Sequence, residues 1–301
     1  MPELGIRSTY SQSPFQILIN DDNGLISTGS AFFYDFEEEN FLITNWHNVS
    51  GKHFLTDEKL DKTSDRLPTN IEAKLATNIG GTNGFTTIAH KIEIYEDYNP
   101  IWFEHPVLGS KCDVIAIPIA RNKNLADNFH YPSNLISQIR IPVKPGNTAF
   151  VIGFPKSISV YIGLPIWKSG YIASEPFYNV TIGGKVSKLG GLELGLDLPA
   201  FFIDTQTKEG MSGSPVFANY IGNWDMTNPY EPIDPDAKDF NSRNNIAIGE
   251  NRLEFIGCYS GRIGKQEEGA TLGLCWRKDV IDLICKTRKI GEHPHVGKIN
   301  E

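Results

Sequence analysis

The chain is divided into many short runs of β-type residues separated by turn residues. Nine runs stand out: FQILI (15–19), SAFFY (30–34), NFLIT (40–44), DVIAIPI (113–119), TAFVIGF (148–154), AFFID (200–204), SPVF (214–217), LEFIGCY (253–259) and LGLCW (272–276). Turn sequences such as NDDNG, GTNG, KPGN and LGG lie between them. Many short strands with this punctuation predict an all-β barrel or sandwich. The one strong helical pattern is RKDVIDLICKTRK at 277–289, which has an early Asp and late basic residues that suit the helix dipole.

Two polar, proline-marked stretches interrupt the β-type runs. Residues 121–145 show little β pattern and indicate an interdomain linker, whereas 219–250 are rich in Asn, Asp and Pro and indicate a long surface insertion between two strands. The linker divides the β-type runs into halves of similar weight. We therefore expect an N-terminal β domain at 1–120, a C-terminal β domain at 146–276, and a helix with a tail at 277–301.

Composition places the chain among globular proteins and excludes several partners. The chain has 301 residues, 40% of them hydrophobic, and a formal net charge of −8 without a block of Lys or Arg. A nucleic-acid surface or an anionic membrane surface is therefore not indicated. No apolar run approaches the roughly 20 residues that a membrane helix requires. The first residues lack the basic-then-apolar pattern of a signal peptide, so we expect a cytoplasmic protein.

The four cysteines do not form a metal or redox motif. They are Cys112, Cys258, Cys275 and Cys285, and no two of them make a C-x-x-C pair. In a cytosolic chain, such cysteines are most simply buried and reduced. The sequence therefore predicts no metal and no cofactor.

Three short stretches carry a nucleophile, a base and an acid in a fixed order along the chain. His47 follows an apolar run, Asp113 opens another, and Ser212 lies in KEGMSGSPVF at 208–217. Each alone has an ordinary interpretation, because Gly, Ser, Pro and Asp are turn residues and a histidine at a strand end is usually structural or exposed. A serine nucleophile needs a base and a group that orients the base, and this chain supplies all three.

The three stretches together resemble the chymotrypsin-like (trypsin-like) serine peptidases, particularly the bacterial branches related to HtrA and to glutamyl endopeptidases. The family patterns T-x-x-H-x-V and G-x-S-G-[GS]-P are matched at Thr44–Val49 and Gly210–Pro215, and the D-[VI]-A strand at Asp113–Ala116 has one inserted residue. The resemblance extends over about residues 15–285. It implies an all-β fold of two six-stranded β-barrels with a C-terminal α-helix.

The resemblance also implies a reaction and a role for each residue. The protein would be a serine endopeptidase that cleaves a protein or peptide substrate. Ser212 would be the nucleophile, His47 the general base, and Asp113 the group that orients His47. The backbone N–H groups of Gly210 and Ser212 would form the oxyanion hole.

Substrate recognition is implied at a further set of positions: Gln206, Thr207, Ser260, Gly261, Arg262 and Gly273. A basic-specific relative would carry an acid where this chain has Gln206, so a preference for Lys or Arg at P1 is not supported. Glutamyl endopeptidases share the threonine at position 207 but carry a histidine where this chain has Tyr259. Arg262 either narrows the pocket or pairs with an acidic P1 side chain, or it points to solvent. The expectation is a small, polar or acidic P1 residue.

The chain departs from its relatives in two regulatory features. Met211 stands where the zymogen-activated branch has an aspartate that pairs with a new N-terminus, so we expect activity without N-terminal processing. After the second barrel the chain lacks the length of a PDZ domain, so regulation of the HtrA kind is not expected. A cytosolic peptidase must still be restrained, either by narrow specificity or by a regulatory protein partner.

Two other classes of protein are alternatives to the peptidase. An α/β-hydrolase needs G-x-S-x-G, but position 214 is Ser, and it needs a histidine after the nucleophile, where only His293 and His295 remain. The other alternative is a catalytically silent peptidase fold that serves as a binding or scaffolding module. A reactive Ser212 would separate that module from the enzyme.

Overall fold

The computed structural model describes residues 6, 8–78, 85–119, 130–161, 163–189, 192–230, 246–263 and 272–295. Its first half contains β1 (Pro14–Asp21), β2 (Gly24–Phe36), β3 (Glu39–Thr44), α1 (Trp46–Ser50), β4 (Asn70–Asn78), β5 (Phe85–Glu93), β6 (Tyr95–Glu96), β7 (Asn99–Pro100) and β8 (Ile115–Ile119). Its second half contains β9 (Thr148–Gly153), β10 (Ile166–Ile172), β11 (Val180–Leu189), β12 (Leu192–Leu198), β13 (Ala200–Asp204), β14 (Pro215–Asp225), β15 (Ile246–Arg262), β16 (Leu272–Arg277) and α2 (Lys278–Thr287). Two short 3₁₀ turns lie at Thr9–Gln12 and Pro155–Ser157.

The first half is one antiparallel sheet of six strands in the order β5-β4-β1-β2-β3-β8. The outer edge of β8 is covered by the segment around Phe103. Phe103 N–H donates to Ala116 O at 2.8 Å, and Ala116 N–H donates to Phe103 O at 3.1 Å. This two-way pairing satisfies edge groups that would otherwise be open to another chain.

The second half is a closed barrel of six antiparallel strands in the order β10-β13-β16-β15-β14-β9, with β11 and β12 forming a separate hairpin. Alternate residues of a strand point to opposite faces, and β14 shows the consequence. Val216 and Ala218 belong to one buried apolar cluster together with Tyr259, whereas Phe217 belongs to the other buried cluster. The strand therefore contributes to two cores at once.

The larger buried cluster joins the two halves. Phe32 of β2 packs edge-on against Phe255 of β15, with ring centroids 5.4 Å apart, and Phe217 lies 5.7 Å from the same ring. Helix α2 adds four buried side chains to this cluster: Val280, Ile281, Ile284 and Cys285. The two β units therefore share one continuous apolar core.

The predicted all-β fold of two six-stranded units with a C-terminal helix is confirmed. Each of the nine predicted runs overlaps an observed strand, and the predicted helix at 277–289 is α2. The strands of the two halves lie on either side of the predicted linker, of which residues 121–129 are outside the described residues.

The β14–β15 hairpin is longer than the sequence predicted. Its strands continue into the insertion predicted at 219–250, where Asn219 pairs with Leu253 and Asp225 with Ile246. The reason is packing, since Trp224 is buried and its Nε1 donates to Arg140 O at 2.8 Å. Residues 231–245 lie outside the described part of the chain.

The four cysteines are buried and none forms a disulfide. Burial raises the pKa of the Cys112, Cys258, Cys275 and Cys285 thiols, so these side chains stay neutral and pack as small apolar groups. Among the described helices, none combines the length and apolar character needed to cross a membrane.

A pair of tyrosines tests how the first sheet is attached to α2. Tyr34 Oη donates to Asp282 Oδ1 at 2.5 Å, so Tyr34→Phe is expected to lower the free energy of unfolding by about 1–2 kcal/mol. Tyr95→Phe is the control, because the buried Tyr95 hydroxyl has no partner among the described residues and its removal strands no group. Urea denaturation measures both; equal losses in the two variants would contradict the assigned bond.

Candidate active site

Strand register brings His47 and Asp113 to the same end of the first sheet. β3 and β8 are antiparallel, and Thr44 at the end of β3 lies opposite Ile115 at the start of β8. The residues that follow β3 and those that precede β8 therefore lie next to each other at the same end of the sheet. His47 Nδ1 lies 2.7 Å from Asp113 Oδ2, and His47 N donates to Asp113 Oδ1 at 2.9 Å.

The Asp113 carboxylate is fully buried and accepts three hydrogen bonds. The third comes from Ser260 Oγ of β15, which donates to Oδ2 at 2.5 Å. Asn45 Nδ2 also donates to the Asp113 backbone oxygen at 2.6 Å. These donors offset the cost of removing a carboxylate from water. The sequence analysis gives Ser260 only a role in substrate recognition and does not predict its contact with Asp113.

The bond to Asp113 determines which nitrogen of His47 is available. The Asp113 carboxylate can only accept, so Nδ1 carries the hydrogen of this bond, and in the neutral tautomer Nε2 is left as an acceptor. The imidazole is 17% exposed and lines a cleft of about 790 Å³ together with Ser212 and Gly210. Within the described residues, Ser212 Oγ forms no hydrogen bond to His47; such bonds often form only when substrate is present.

The loop that carries Ser212 is shaped by two glycines in the left-handed region. Gly210 has φ +87° and Gly213 has φ +85°. A Cβ at Gly210 would lie 2.4 Å from Phe154 O, and one at Gly213 would lie 2.0 Å from Ser30 O. Both positions therefore require glycine for backbone conformation and for space.

Ser30 of the first sheet fastens this loop to the other half of the molecule. Ser30 N–H donates to Ser212 O at 2.8 Å, and Ser30 Oγ donates to Gly210 O at 2.7 Å. The same hydroxyl accepts Phe154 N–H at 3.2 Å. A single fully buried residue, through its backbone and its hydroxyl, thus binds both carbonyl groups that flank Met211.

The two predicted oxyanion-hole donors face no protein acceptor in the described part of the chain. Their neighbours are occupied, since Met211 N–H donates to Lys208 O at 3.2 Å and Gly213 N–H to Tyr259 O at 2.9 Å. The N–H groups of Gly210 and Ser212 have no acceptor among the described residues, and both residues line the cleft. Lys156 N–H donates to Glu209 O at 2.7 Å, which orients the peptide plane that carries the Gly210 N–H.

Two of the predicted substrate-binding residues lie against Tyr259. The Thr207 and Tyr259 hydroxyls are hydrogen-bonded to each other, and both side chains are buried. Gly273 provides the space for the ring, because a Cβ there would lie 2.6 Å from Tyr259 Cε2. Burial raises the pKa of the Tyr259 phenol, so the hydroxyl stays neutral. Tyr259 therefore fills the space between Thr207 and β16.

The other predicted substrate-binding residues are placed differently. Gln206 and Arg262 are exposed, Gly261 is half-buried, and the Arg262 guanidinium forms no ion pair with a described residue. Ser260 is buried, and its hydroxyl binds Asp113. The structure thus brings Thr207 and Gly273 together through Tyr259 and leaves Gln206 and Arg262 at the surface.

Met211 and the nearby thiols have no charged role in the site. Met211 is fully buried and lies in the apolar cluster of the second barrel, where an ion pair has no partner. The raised pKa of the Cys258 thiol, caused by burial and by the Asp113 charge, excludes a thiolate nucleophile beside Asp113. Over the described ranges, no three His, Cys, Asp or Glu side chains gather in a way that could hold a metal ion.

The comparisons with known proteins give distant structural likeness. No family model matches the chain, and no curated protein sequence matches it. Among solved structures, Rv3671c protease from M. tuberculosis, active form, is 13% identical with a TM-score of 0.47, covering 97% of this chain and 88% of that one. A serine endoprotease from Yersinia pestis is 10% identical with a TM-score of 0.43, covering 94% and 67%. The HtrA-type protease AlgW with tripeptide is 11% identical with a TM-score of 0.41, covering 92% and 59%. With identities and scores of this size, the fold and the site of this chain rest on its own residues.

Two glycine substitutions separate backbone strain from the close contact at the serine loop. Gly146 has φ +86° and open space around its missing Cβ, whereas Gly213 has nearly the same φ but lies against Ser30 O. Gly146→Ala is expected to cost about 1 kcal/mol of unfolding free energy through strain alone. Gly213→Ala is expected to cost about 3 kcal/mol or more, because the Ser30–Ser212 contact must also open. Thermal and urea denaturation measure both values, and equal costs would contradict the close approach.

Proposed function

We propose that this protein is a serine endopeptidase that hydrolyses peptide bonds of a protein substrate through an acyl-enzyme intermediate. The observation that carries the proposal is the Asp113–His47 pair, whose imidazole lines the same cleft as Ser212. The unpaired N–H groups of Gly210 and Ser212 on that cleft support it, because acyl transfer needs donors where negative charge develops.

In the proposed reaction, Ser212 Oγ attacks the carbonyl carbon of the scissile peptide, and His47 Nε2 takes the hydroxyl proton. The oxyanion that forms accepts hydrogen bonds from the N–H groups of Gly210 and Ser212. When the carbon–nitrogen bond breaks, His47 returns the proton to the leaving amine. A water molecule then attacks the ester carbonyl with His47 as base, and Ser212 is released with its proton.

Asp113 would stabilise the imidazolium that exists during both steps. Its two oxygens are already fixed by the His47 backbone N–H, the His47 ring and Ser260. A carboxylate held in this way needs no reorganisation when the positive charge appears. Ser260 is therefore a positioning residue of the proposed reaction.

A catalytically silent binding module is the alternative, and one observation favours it. The Ser212 hydroxyl is not hydrogen-bonded to His47 in the described residues, so nothing in the resting structure removes its proton. A fluorophosphonate probe decides between the two, because it reacts covalently only with an activated serine.

The first functional prediction concerns the three residues of the proposed triad. Ser212→Ala, His47→Ala and Asp113→Asn are each expected to lower kcat on a peptide library by about a thousandfold or more. Fluorophosphonate labelling is expected to be lost in Ser212→Ala. Circular dichroism and melting temperature serve as controls for folding. Cleavage by Ser212→Ala at the rate of the parent protein would refute the proposed nucleophile.

We propose further that the P1 residue is small, polar or acidic. The Thr207 and Tyr259 hydroxyls are uncharged and lie together, and Gln206 at the adjoining surface is also neutral, so none of these three side chains offers a carboxylate to a basic P1 residue. A buried cation without a counter-charge would cost several kcal/mol. The Arg262 guanidinium is exposed and forms no ion pair with a described residue, and its fork of N–H donors suits two hydrogen bonds with an acidic P1 carboxylate.

The P1 proposal is tested with peptides that differ only at P1. The parent protein is expected to cleave Ala, Ser and Glu peptides at least about tenfold faster than Lys or Arg peptides, as judged by kcat/KM. Arg262→Ala is expected to reduce cleavage of the Glu peptide while sparing the Ala peptide, which is the internal control. A strong preference for Lys or Arg would overturn the proposal, and an unchanged Glu-to-Ala ratio in Arg262→Ala would remove Arg262 from it.

A further inference from the structure

Helix α1 presents His47 but is too short to be stable without support. It has only five residues, Trp46–Ser50, and isolated helices of this length do not persist in water. Its side-chain and backbone partners must therefore hold the imidazole in place. Two of these partners, one at each end of α1, lie outside the proposed triad.

At the N-terminal end of α1, a buried carboxylate accepts a hydrogen bond from Trp46, the residue before His47. Glu104 is 1% exposed, and its Oε1 accepts Trp46 Nε1 at 3.1 Å and Trp102 Nε1 at 2.9 Å. Burial raises the pKa of Glu104, while the two indole donors and the Glu292 backbone N–H lower it. Glu104 ties α1 to the segment that covers β8.

The chain after α2 returns to the first half and packs on this carboxylate. We call residues 289–295 the C-terminal strap. Lys289 O accepts Glu104 N–H at 2.9 Å, and Gly291 N–H donates to Trp102 O at 2.9 Å. The approach is close, since a Cβ at Gly291 would lie 2.3 Å from Trp102 Nε1 and 2.8 Å from Glu104 Oε1.

At the other end of α1, the same strap binds the last helical carbonyl. His295 is 6% exposed, and its Nε2 donates to Ser50 O at 2.9 Å. Lys52 Nζ donates to Pro294 O at 2.7 Å, and His293 stacks on Tyr95 with ring centroids 4.7 Å apart. His293 Nδ1 accepts a hydrogen bond from the His295 backbone N–H at 3.1 Å, which holds the backbone of His295 in place. His295 also lines the cleft that contains His47 and Ser212.

From these contacts we infer that Glu104 and His295 are positioning residues for His47, and that the C-terminal strap connects them into one clamp around α1. The expected effect on Ser212 reactivity rests on the function proposed above, whereas the expected effect on the stability of α1 does not. A displacement of about 1 Å in a reacting group costs up to about a hundredfold in rate, so loosening α1 slows Ser212 activation.

Substitutions at two buried histidines distinguish a positioning role from a role in stability alone. His295→Ala removes the donor to Ser50 O, and His295→Gln keeps an N–H at a similar reach. His130→Ala is the matched control: His130 is 8% exposed, and its Nε2 accepts Ala76 N–H at 2.9 Å, away from α1. Both alanine variants are expected to lose stability, but only His295→Ala should affect α1.

Three measurements are made on the full chain: the rate of fluorophosphonate labelling, amide hydrogen exchange in residues 46–51, and urea denaturation. His295→Ala is expected to label about tenfold more slowly and to exchange about tenfold faster in 46–51. His295→Gln should recover most of both effects, and His130→Ala should change neither. If His295→Ala behaves like His130→Ala in labelling and exchange, the clamp is refuted.

Glu104 gives a second, independent variant pair. Glu104→Gln retains an oxygen that accepts both indole N–H groups, whereas Glu104→Leu strands them in the interior. The leucine variant is expected to lose labelling rate and α1 protection together, with the glutamine variant close to the parent protein. Equal protection of 46–51 in all three proteins would overturn the role of Glu104. A parent protein that does not label refutes the proposed function, and hydrogen exchange then still tests the clamp.

Discussion

The buried carboxylate of Asp113 is the constraint on which the rest of the site depends. A charge with no exposure to water must be surrounded by donors, and here they come from two parts of the chain: His47 of α1, through its backbone N–H and its ring, and Ser260 of β15. Each donor is useful only if its own element is correctly placed. The first sheet, the short helix and the second barrel are therefore adjusted to one another around this single side chain.

The serine loop shows how the same junction is held from the other side. Ser30 belongs to the first sheet, yet its backbone and hydroxyl bind the carbonyl groups of Ser212 and Gly210 in the second half. Both residues line the cleft, and their N–H groups donate to no acceptor among the described residues. Because both halves contribute to the nucleophile loop and to the acid–base pair, neither half alone contains a site that could catalyse the proposed reaction.

The space beside the site is set by residues that accommodate one another. The Tyr259 ring can occupy its position because residue 273 has no side chain, and its hydroxyl is satisfied by Thr207. Protein interiors are packed as densely as organic crystals, so adding one carbon atom at residue 273 would disturb the packing of the Tyr259 ring. The proposed preference for small, polar or acidic P1 residues follows from what these residues leave open.

The short β-type runs were sufficient to predict an all-β fold, and the order His47, Asp113, Ser212 carried the resemblance from which the proposed triad was taken. The structure pairs His47 with Asp113 and has Ser212 on the same cleft. This succeeded because strand periodicity and turn glycines are local properties, legible in a few consecutive residues. The contact of Ser260 with Asp113 and the grip of Glu104 on Trp46 were decided by tertiary structure alone. The only local signal was an acidic residue inside the aromatic stretch IWFEHPV, and it names no partner. Which distant donor satisfies a buried carboxylate depends on how separate elements pack, and no local pattern in the sequence encodes that distance.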